Sequence, residues 1–158
     1  MRIGLISDTH NEHPRIQQAL ESFRQQQVSI VFHAGDVTDA ATLRLFAGFD
    51  VWLAQGNMDR DLKLRPTAQE LFGFGRMAKV HHLSVAGLAV ALLHGDDSVT
   101  LDSLIHSATY ALVIHGHTHI PQDETVGATR VINPGALVRI PTCAILDLET
   151  GDLTWLEL

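Results

Sequence analysis

Residues 2–10 read Arg-Ile-Gly-Leu-Ile-Ser-Asp-Thr-His, an apolar run of strand character that stops at Asp8 and His10. On an extended segment, side chains two apart point to the same side, so these two can address one point. The pattern repeats down the chain. Val28–His33 runs into Gly35-Asp36, Asp50–Ala54 into Gly56-Asn57, Leu88–Leu93 into His94-Gly95-Asp96, and Ala111–Ile114 into His115-Gly116-His117-Thr118-His119. Five strand-like runs therefore set oxygen or imidazole donors just past their carboxyl ends. That edge is where open α/β sheets bind ligands. The neighbouring glycines let the backbone turn sharply and come close to a bound ion.

Helical patterns separate these runs. In Pro14–Gln25, Ile16, Ala19, Leu20 and Phe23 fall on one face, and Pro14 suits a first turn. Asp39–Gly48 reads as a second helix with Leu43, Phe46 and Ala47 facing inward. Gln55–Met77, with Pro66, Gly73 and Gly75, reads as a loop holding one short helix. Lys79–Val85 and Leu88–Leu93 form a hairpin around Ala86-Gly87. Ser98–Ala108 carries Leu101, Leu104, Ile105 and Ala108 at i, i+3, i+4 and i+7, with Asp97 or Ser98 as cap. After His119 the pattern turns all-β: Gln122–Val126, Thr129–Asn133, Thr142–Asp147 and Leu153–Leu158. Strand–helix units followed by hairpins predict an α/β fold, a two-layer mixed β-sandwich flanked by α-helices with a β-rich C-terminal part. With no repeat, low-complexity segment or linker, residues 1–158 read as one domain.

Whole-chain composition narrows the function. Hydrophobic residues at 46% and charged residues at 18% exclude a disordered chain. A formal charge of −7 without a Lys/Arg cluster speaks against duplex nucleic acid or anionic membrane as a partner. No apolar run approaches the ~20 residues of a membrane span. Strand-like sequence begins at Arg2 with no room for a signal peptide, so a cytoplasmic protein is expected. Cys143 stands alone and can form neither an internal disulfide nor a thiolate cluster. The ten histidines are scattered, and several adjoin glycine.

Each motif alone is weak: Asp-x-His is usually two surface residues, His-x-His a turn, Gly-Asp or Gly-Asn a turn with a cap. All five at successive strand ends point to a shared metal centre. The order Asp-x-His, Gly-Asp, Gly-Asn, His, Gly-His-x-His resembles that of the calcineurin-like metallophosphoesterases, from Arg2 to about Leu148. The short chain and β-rich end resemble their small microbial phosphodiesterase branch, which also resembles the retromer scaffold subunit. The resemblance implies a two-metal site at one sheet edge. Asp8, His10, Asp36 and His119 would hold one ion. Asp36 would bridge to the second, completed by Asn57, His94 and His117, and Asp36, Asn57 and His94 would carry catalysis.

Imidazole, carboxylate and amide donors without sulfur suit two divalent ions, Mn²⁺ first, with Ni²⁺, Fe²⁺, Co²⁺ and Zn²⁺ as alternatives. Facing only Asp8 and Asp36 as anions, two such ions keep the site positive and attract phosphate to an acidic protein. The implied reaction is hydrolysis of a small organic phosphodiester by in-line attack of a hydroxide shared between the ions.

Two departures from the broad pattern stand out. Many members carry histidine after Gly-Asn, whereas Met58 follows here and can neither donate a proton nor hold positive charge. The branch commonly lacks that histidine too. His94-Gly95-Asp96 also replaces the frequent His-Gly-His. Asp59, Asp96 and Asp97 read first as solvated loop residues or helix caps, and second as groups touching the ligands or moving a proton. His33 and His115 read as strand-end residues adjoining the site, and His13 as a rim residue. His81, His82 and His106 read as surface or packing residues, and Asn133-Pro134-Gly135 as turn chemistry. A catalytically weak protein-binding scaffold on the same fold and a phosphomonoesterase stand as alternatives. A repair-type nuclease is disfavoured by charge. Oligomeric state is open, a homo-oligomer included.

Overall fold

In the computed structural model, which describes Met1–Leu158, β1 (Arg2–Ile6) sends Ile3 and Leu5 to one face and Gly4 and Ile6 to the other. A Cβ at Gly4 would lie 2.6 Å from the Phe23 ring, so only glycine lets α1 (His13–Gln25) seat that ring on the strand. The chain continues through β2 (Ile30–His33), α2 (Ala40–Leu43), β3 (Asp50–Ala54), α3 (Leu64–Phe72), β4 (Met77–Ala78), β5 (Val80–Val85), β6 (Leu88–Leu93) and α4 (Ser98–His106). It ends in β7 (Leu112–Ile114), β8 (Gln122–Val126), β9 (Thr129–Asn133), β10 (Thr142–Asp147) and β11 (Leu153–Glu157).

Two mixed sheets result, ordered β11-β10-β1-β2-β3-β4 and β5-β6-β7-β9-β8. In the first, β1 through β4 are parallel and β10 and β11 add antiparallel. In the second, β6, β7 and β9 are parallel, with β5 and β8 as antiparallel edges. Ala86 and Gly87 both take positive φ, as the tight β5–β6 turn requires. Ile3, Leu5, Phe32 and Leu146 of the first sheet meet Val90, Leu92, Ile114 and Ile132 of the second in a dry core. The outer face of the first sheet is covered by α1, through Ile16, Ala19, Leu20 and Phe23. Ile16, Leu20 and Phe23 each contribute about 1.5–3 kcal/mol on burial. The sandwich expected from the sequence is the one adopted, and it brings the carboxyl ends of β1, β2, β3, β6 and β7 to one edge.

Two helices differ from the bounds expected, and a third forms where a short one was expected. Asp39–Gly48 is not one helix. Asp39 does cap it, its carboxylate accepting the Thr42 N–H at 2.8 Å, but α2 ends at Leu43 and tightens into a 3-10 turn over Arg44–Phe46. That turn buries Phe46, while Ala47 leaves the helix at ψ 134° and is exposed. The helix within Gln55–Met77 is α3, with Pro66 in its first turn, where no intrahelical N–H is needed. Finally, α4 stops at His106; Ala108 lies beyond it, exposed and at positive φ, and Leu101, Leu104 and Ile105 are only half-buried on the second sheet.

Candidate metal centre

The sheet edge gathers all seven side chains singled out in the sequence. Asp8, His10 and His119 form one group of close donor atoms, and Asp8, Asp36 and His94 another. His119 Nε2 lies 3.1 Å from Asp8 Oδ1, and His10 Nε2 lies 3.9 Å from that oxygen and 3.8 Å from Asp36 Oδ2. His94 Nε2 stands 3.5 Å from Asp36 Oδ2 and 3.1 Å from Asn57 Oδ1. His117 joins by its ring, 5.1 Å from that of His94 and at 74° to it. The Oδ2 of Asp36 therefore lies between His10 and His94.

The loops that achieve this are tight. Asp8, His10, Asp36, His117 and His119 all have φ between 41° and 68°. Left-handed backbone at a non-glycine residue costs on the order of 1–3 kcal/mol, less for Asp and His than for branched residues. Glycine supplies the remaining room. A Cβ on Gly56 would meet Asp36 Oδ1 at 2.0 Å, and one on Gly116 would meet Ser7 Oγ at 1.9 Å. The Gly-Asn and Gly-His pairs are thus close-approach devices, and alanine at either position would push a carboxylate aside.

A set of buried hydrogen bonds aims the donor atoms. Ser7 Oγ donates to Asp8 Oδ2 at 2.5 Å, and the His117 N–H donates to the same oxygen at 3.0 Å. This leaves Asp8 Oδ1 for the site. The Met58 N–H holds Asp36 Oδ1 at 2.9 Å, leaving Oδ2 free. His94 Nδ1 lies 2.8 Å from the Ala34 carbonyl, which can only accept, so Nδ1 carries the proton and Nε2 presents its lone pair. Asn133 donates to the Gly116 carbonyl at 2.8 Å and to Thr118 Oγ1 at 3.0 Å, bracing the loop that carries His117; its Pro-Gly sequel is the turn anticipated.

Titration behaviour follows from these contacts. Burial pulls the His94 imidazole down, but the Asp36 carboxylate and the Ala34 carbonyl outweigh it and its pKa is raised. Burial likewise pushes Asp36 up, while His94 and the Met58 N–H more than offset this and lower it. Burial brings His33 down to about 3. Its Nδ1 accepts the Gly35 N–H at 3.1 Å and its Nε2 donates to Thr9 Oγ1 at 3.1 Å, so His33 is a neutral brace under both the Asp8 and Asp36 loops. Burial raises the Cys143 thiol to about 12, which removes it as a nucleophile.

The donor set fits a divalent cation. Asp8 Oδ1 and His10 Nε2 are buried without a hydrogen-bond partner. Unsatisfied buried polar atoms are costly, and here both are electron-pair donors facing the same space. Nitrogen and oxygen donors without sulfur match borderline or hard divalent ions.

Asp59 overturns its first sequence reading. It is 5% exposed, neither solvated nor a helix cap, and accepts the N–H groups of Asp36, Thr38 and Gly56 at 3.0, 2.8 and 2.8 Å. Ser7 went unnoticed because a strand-end serine beside an aspartate carries no signal of its own. Asn11 also escaped, although it ties the first loop to the second by accepting from Thr38 and Thr42 at 2.6 and 2.8 Å. Asp97 is the α4 cap, as read. His81 is buried against Trp52 and donates to the Leu53 carbonyl at 2.9 Å, away from the site, while His82 pairs with Tyr110 and His106 is exposed on α4. His13 is an exposed residue at the start of α1, 2.9 Å from Thr42 Oγ1.

With the Ser7 and Thr9 hydroxyls engaged and the thiol buried, the nitrogen and oxygen donors converging at a sandwich edge form groups that could hold divalent cations, as in a metal-dependent hydrolase. The chain belongs to the calcineurin-like phosphoesterase superfamily, whose domain profile it matches over residues 1–151. It is 33% identical over 94% of its length to a phosphodiesterase of Methanocaldococcus jannaschii, of which it covers 94%. The solved structure of an archaeal phosphodiesterase superposes with a TM-score of 0.94 at 32% identity, each chain covered in full. Zinc-bound Vps29 of Entamoeba histolytica shares the fold, with a TM-score of 0.69 at 19% identity over 100% of this chain and 98% of that one. The chain is thus a phosphoester hydrolase of a metal-using superfamily. No helix is long and apolar enough to cross a membrane.

Proposed function

We propose that this protein is a dinuclear metal-dependent phosphodiesterase acting on small organic diesters. The observation that carries this reading is Asp36: Oδ2 stands 3.8 Å from His10 Nε2 and 3.5 Å from His94 Nε2, while the Met58 N–H turns Oδ1 away. One carboxylate oxygen between two donor groups is what a bridging ligand requires. Asp8, His10 and His119 would then hold one ion with Asp36, and Asn57, His94 and His117 the other. Divalent ions would supply Lewis-acid charge to the phosphoryl oxygens and a water acidic enough to attack at neutral pH.

The chain's own side chains set the geometry and exclude other nucleophiles. Ser7 and Thr9 spend their hydroxyls on Asp8 and His33. In this reading the nucleophile is therefore water. Met58, 43% exposed beside Asp36, offers the departing oxygen no proton. Asp59 and Asp97 are each committed to backbone N–H groups. A diester, with one negative charge fewer than a monoester dianion, suits a site that lacks an additional cation or acid there.

The test is hydrolysis of bis(p-nitrophenyl) phosphate and p-nitrophenyl phosphate by metal-stripped protein reconstituted with Mn²⁺, Ni²⁺, Fe²⁺, Co²⁺ or Zn²⁺. Diester turnover restored by one of these ions, and abolished by chelation, is expected. No restored turnover with any ion would favour a binding scaffold on this fold.

A further inference from the structure

Between β3 and α3 the chain reads Asn57-Met58-Asp59-Arg60-Asp61-Leu62-Lys63-Leu64-Arg65, with cations and anions close to alternating. Ion pairs within the segment would be the simplest outcome, but both carboxylates are turned to backbone instead. Asp59 holds the N–H groups of Asp36, Thr38 and Gly56. Asp61 accepts those of Ala40 and Lys63 at 3.0 and 2.9 Å, one on each oxygen. Arg60, Lys63 and Arg65 are left without an anionic partner. Of the 11 Lys and Arg side chains, seven pair with a carboxylate, and three of the other four lie here, the fourth being Arg139. With 18 acidic residues in the chain, no shortage of anions explains it.

Arg60 is the cation tied to the candidate site. Its Nε donates to the Asn57 carbonyl at 3.2 Å, and its backbone N–H donates to the Met58 carbonyl at 2.9 Å. Asn57 meanwhile turns its amide oxygen to His94 Nε2 at 3.1 Å. The guanidinium therefore stands on the backbone side of a candidate ligand, and Asn57, Met58 and Arg60 are all exposed on one loop. With Nε engaged, the two terminal nitrogens remain, and their parallel N–H bonds form the fork that matches a carboxylate or a phosphate. A guanidinium already anchored at one nitrogen loses less freedom when that fork is filled. Arg65 donates to Gln55 Oε1 and to the Met77 carbonyl at 3.2 and 2.9 Å, Lys63 is exposed, and both add to the positive field of the segment.

We infer that Arg60 is a specificity-determining residue, which receives an oxyanion carried on the non-reacting arm of the diester. The inference rests on the phosphodiesterase reading above and names the substrate class of that site. The candidate ligands serve the reacting phosphate, and Arg60 serves the second anion. A guanidinium keeps its proton in a protein, so Arg60 recognises the arm and supplies no acid to the departing oxygen.

The experiment compares diesters sharing one p-nitrophenyl group, whose second arm is propyl, 2-carboxyethyl, 2-phosphonoethyl or 3-aminopropyl, on the Mn²⁺-loaded enzyme. An anionic ester should lead the propyl ester in kcat/KM by about tenfold at low salt, the scale of one charge-assisted contact, and the aminopropyl ester should trail. The lead should lie in KM rather than kcat, because the contact is to a group that does not react. Raised salt should shrink it, since the fork is exposed. Arg60→Gln should bring the ratio of anionic to propyl ester close to one, and Arg60→Lys, which keeps the charge without the fork, should fall between. Arg24→Gln, which removes an equal charge from α1, should leave the ratio as in wild type. Whichever anionic ester leads by more tells carboxylate from phosphate. Equal rates for the propyl and both anionic esters overturn the subsite and leave the phosphodiesterase reading intact. A lead that survives Arg60→Gln also overturns it, since something other than Arg60 then holds the second anion. Absence of hydrolysis of every ester removes both readings.

Discussion

Asp59 accepts the Asp36 N–H at 3.0 Å on the same oxygen that accepts the Gly56 N–H at 2.8 Å. One carboxylate thus ties the loop after β2 to the loop after β3 and fixes the distance between Asp36 and Asn57. Its other oxygen holds the Thr38 N–H. Asp59→Ala would leave two buried donors, and the part-buried Thr38 N–H, without an acceptor, each buried one costing about 1–3 kcal/mol, so a stability loss of about 2 kcal/mol or more is expected in urea unfolding. Metal affinity should fall about 10–100-fold, as for other partners that orient ligands, and Asp59→Asn, which keeps one acceptor, should fall less. Calorimetric Mn²⁺ titration checks this. An Asp59→Ala protein that binds metal like wild type would reduce Asp59 to a folding residue.

The bridging role proposed for Asp36 is tested separately. Protein reconstituted with Mn²⁺ should approach two equivalents by elemental analysis, and Asp36→Asn should weaken both. Asn57→Ala and His94→Ala should lower turnover by at least ~10²-fold, the scale of losing a charge-stabilising element at a reacting phosphate. His106→Ala is the control, since that ring is exposed on α4 and lies outside both groups of close donors. His81 cannot serve, because it is buried under Trp52. Saturation at one equivalent with full activity would exclude the two-ion arrangement.

What the sequence disclosed was what local pattern encodes. Buried strands read as apolar runs ending at glycine, and β3, β6, β8, β9 and β10 have the bounds expected. The converging donors are legible because each sits immediately after such a run. Asp59 is not, because its burial is created by Asp36, Thr38 and Gly56, partly across a gap of some twenty residues and through backbone atoms that any residue would supply. The stripe on α4 was legible as a helix yet misjudged in length. The left-handed Ala108 and the sparse cover of the second sheet's outer face are tertiary facts with no periodic signature. Phe46 was rightly placed inward, but a 3-10 turn rather than a longer helix delivers it.

His33 couples stability to pH in a defined direction. Burial holds its folded pKa at about 3, below the unfolded value of 6.5, so between those values the unfolded chain binds a proton that the folded one does not. Stability is therefore fully present above 6.5 and is lost as pH falls, by about 1.4 kcal/mol per unit in this window. Against His33→Gln, whose side chain does not titrate, wild type should lose its advantage progressively from pH 6.5 to pH 5. Urea unfolding of both proteins in chelator measures the difference, in which titrating groups remote from His33 cancel. Parallel stability curves would mean that His33 is protonated in the folded state.

Met58 is expected to set the choice of ester. Its backbone N–H holds Asp36 Oδ1 at 2.9 Å, so the side chain can be exchanged without touching that bond, and it is exposed enough to admit a larger group. Departure of an alkoxide needs a proton or a neutralising charge, and a positioned acid typically contributes 10²–10⁴-fold. The thioether provides neither, and Asp59, with both oxygens accepting backbone N–H groups, is not placed to help. Wild type should therefore favour esters whose leaving group is already stable, with aryl diesters well ahead of alkyl monoesters in kcat/KM. Met58→His should raise monoester turnover by roughly tenfold or more while changing aryl diester turnover little, because only the poor leaving group gains from a donor. The check is a side-by-side measurement of both proteins on one aryl diester and one alkyl monoester at saturating metal. A wild type that already prefers the monoester would show that some other group supplies the proton. Asp96 would then be examined first, as the carboxylate of the three near the site that no backbone N–H engages.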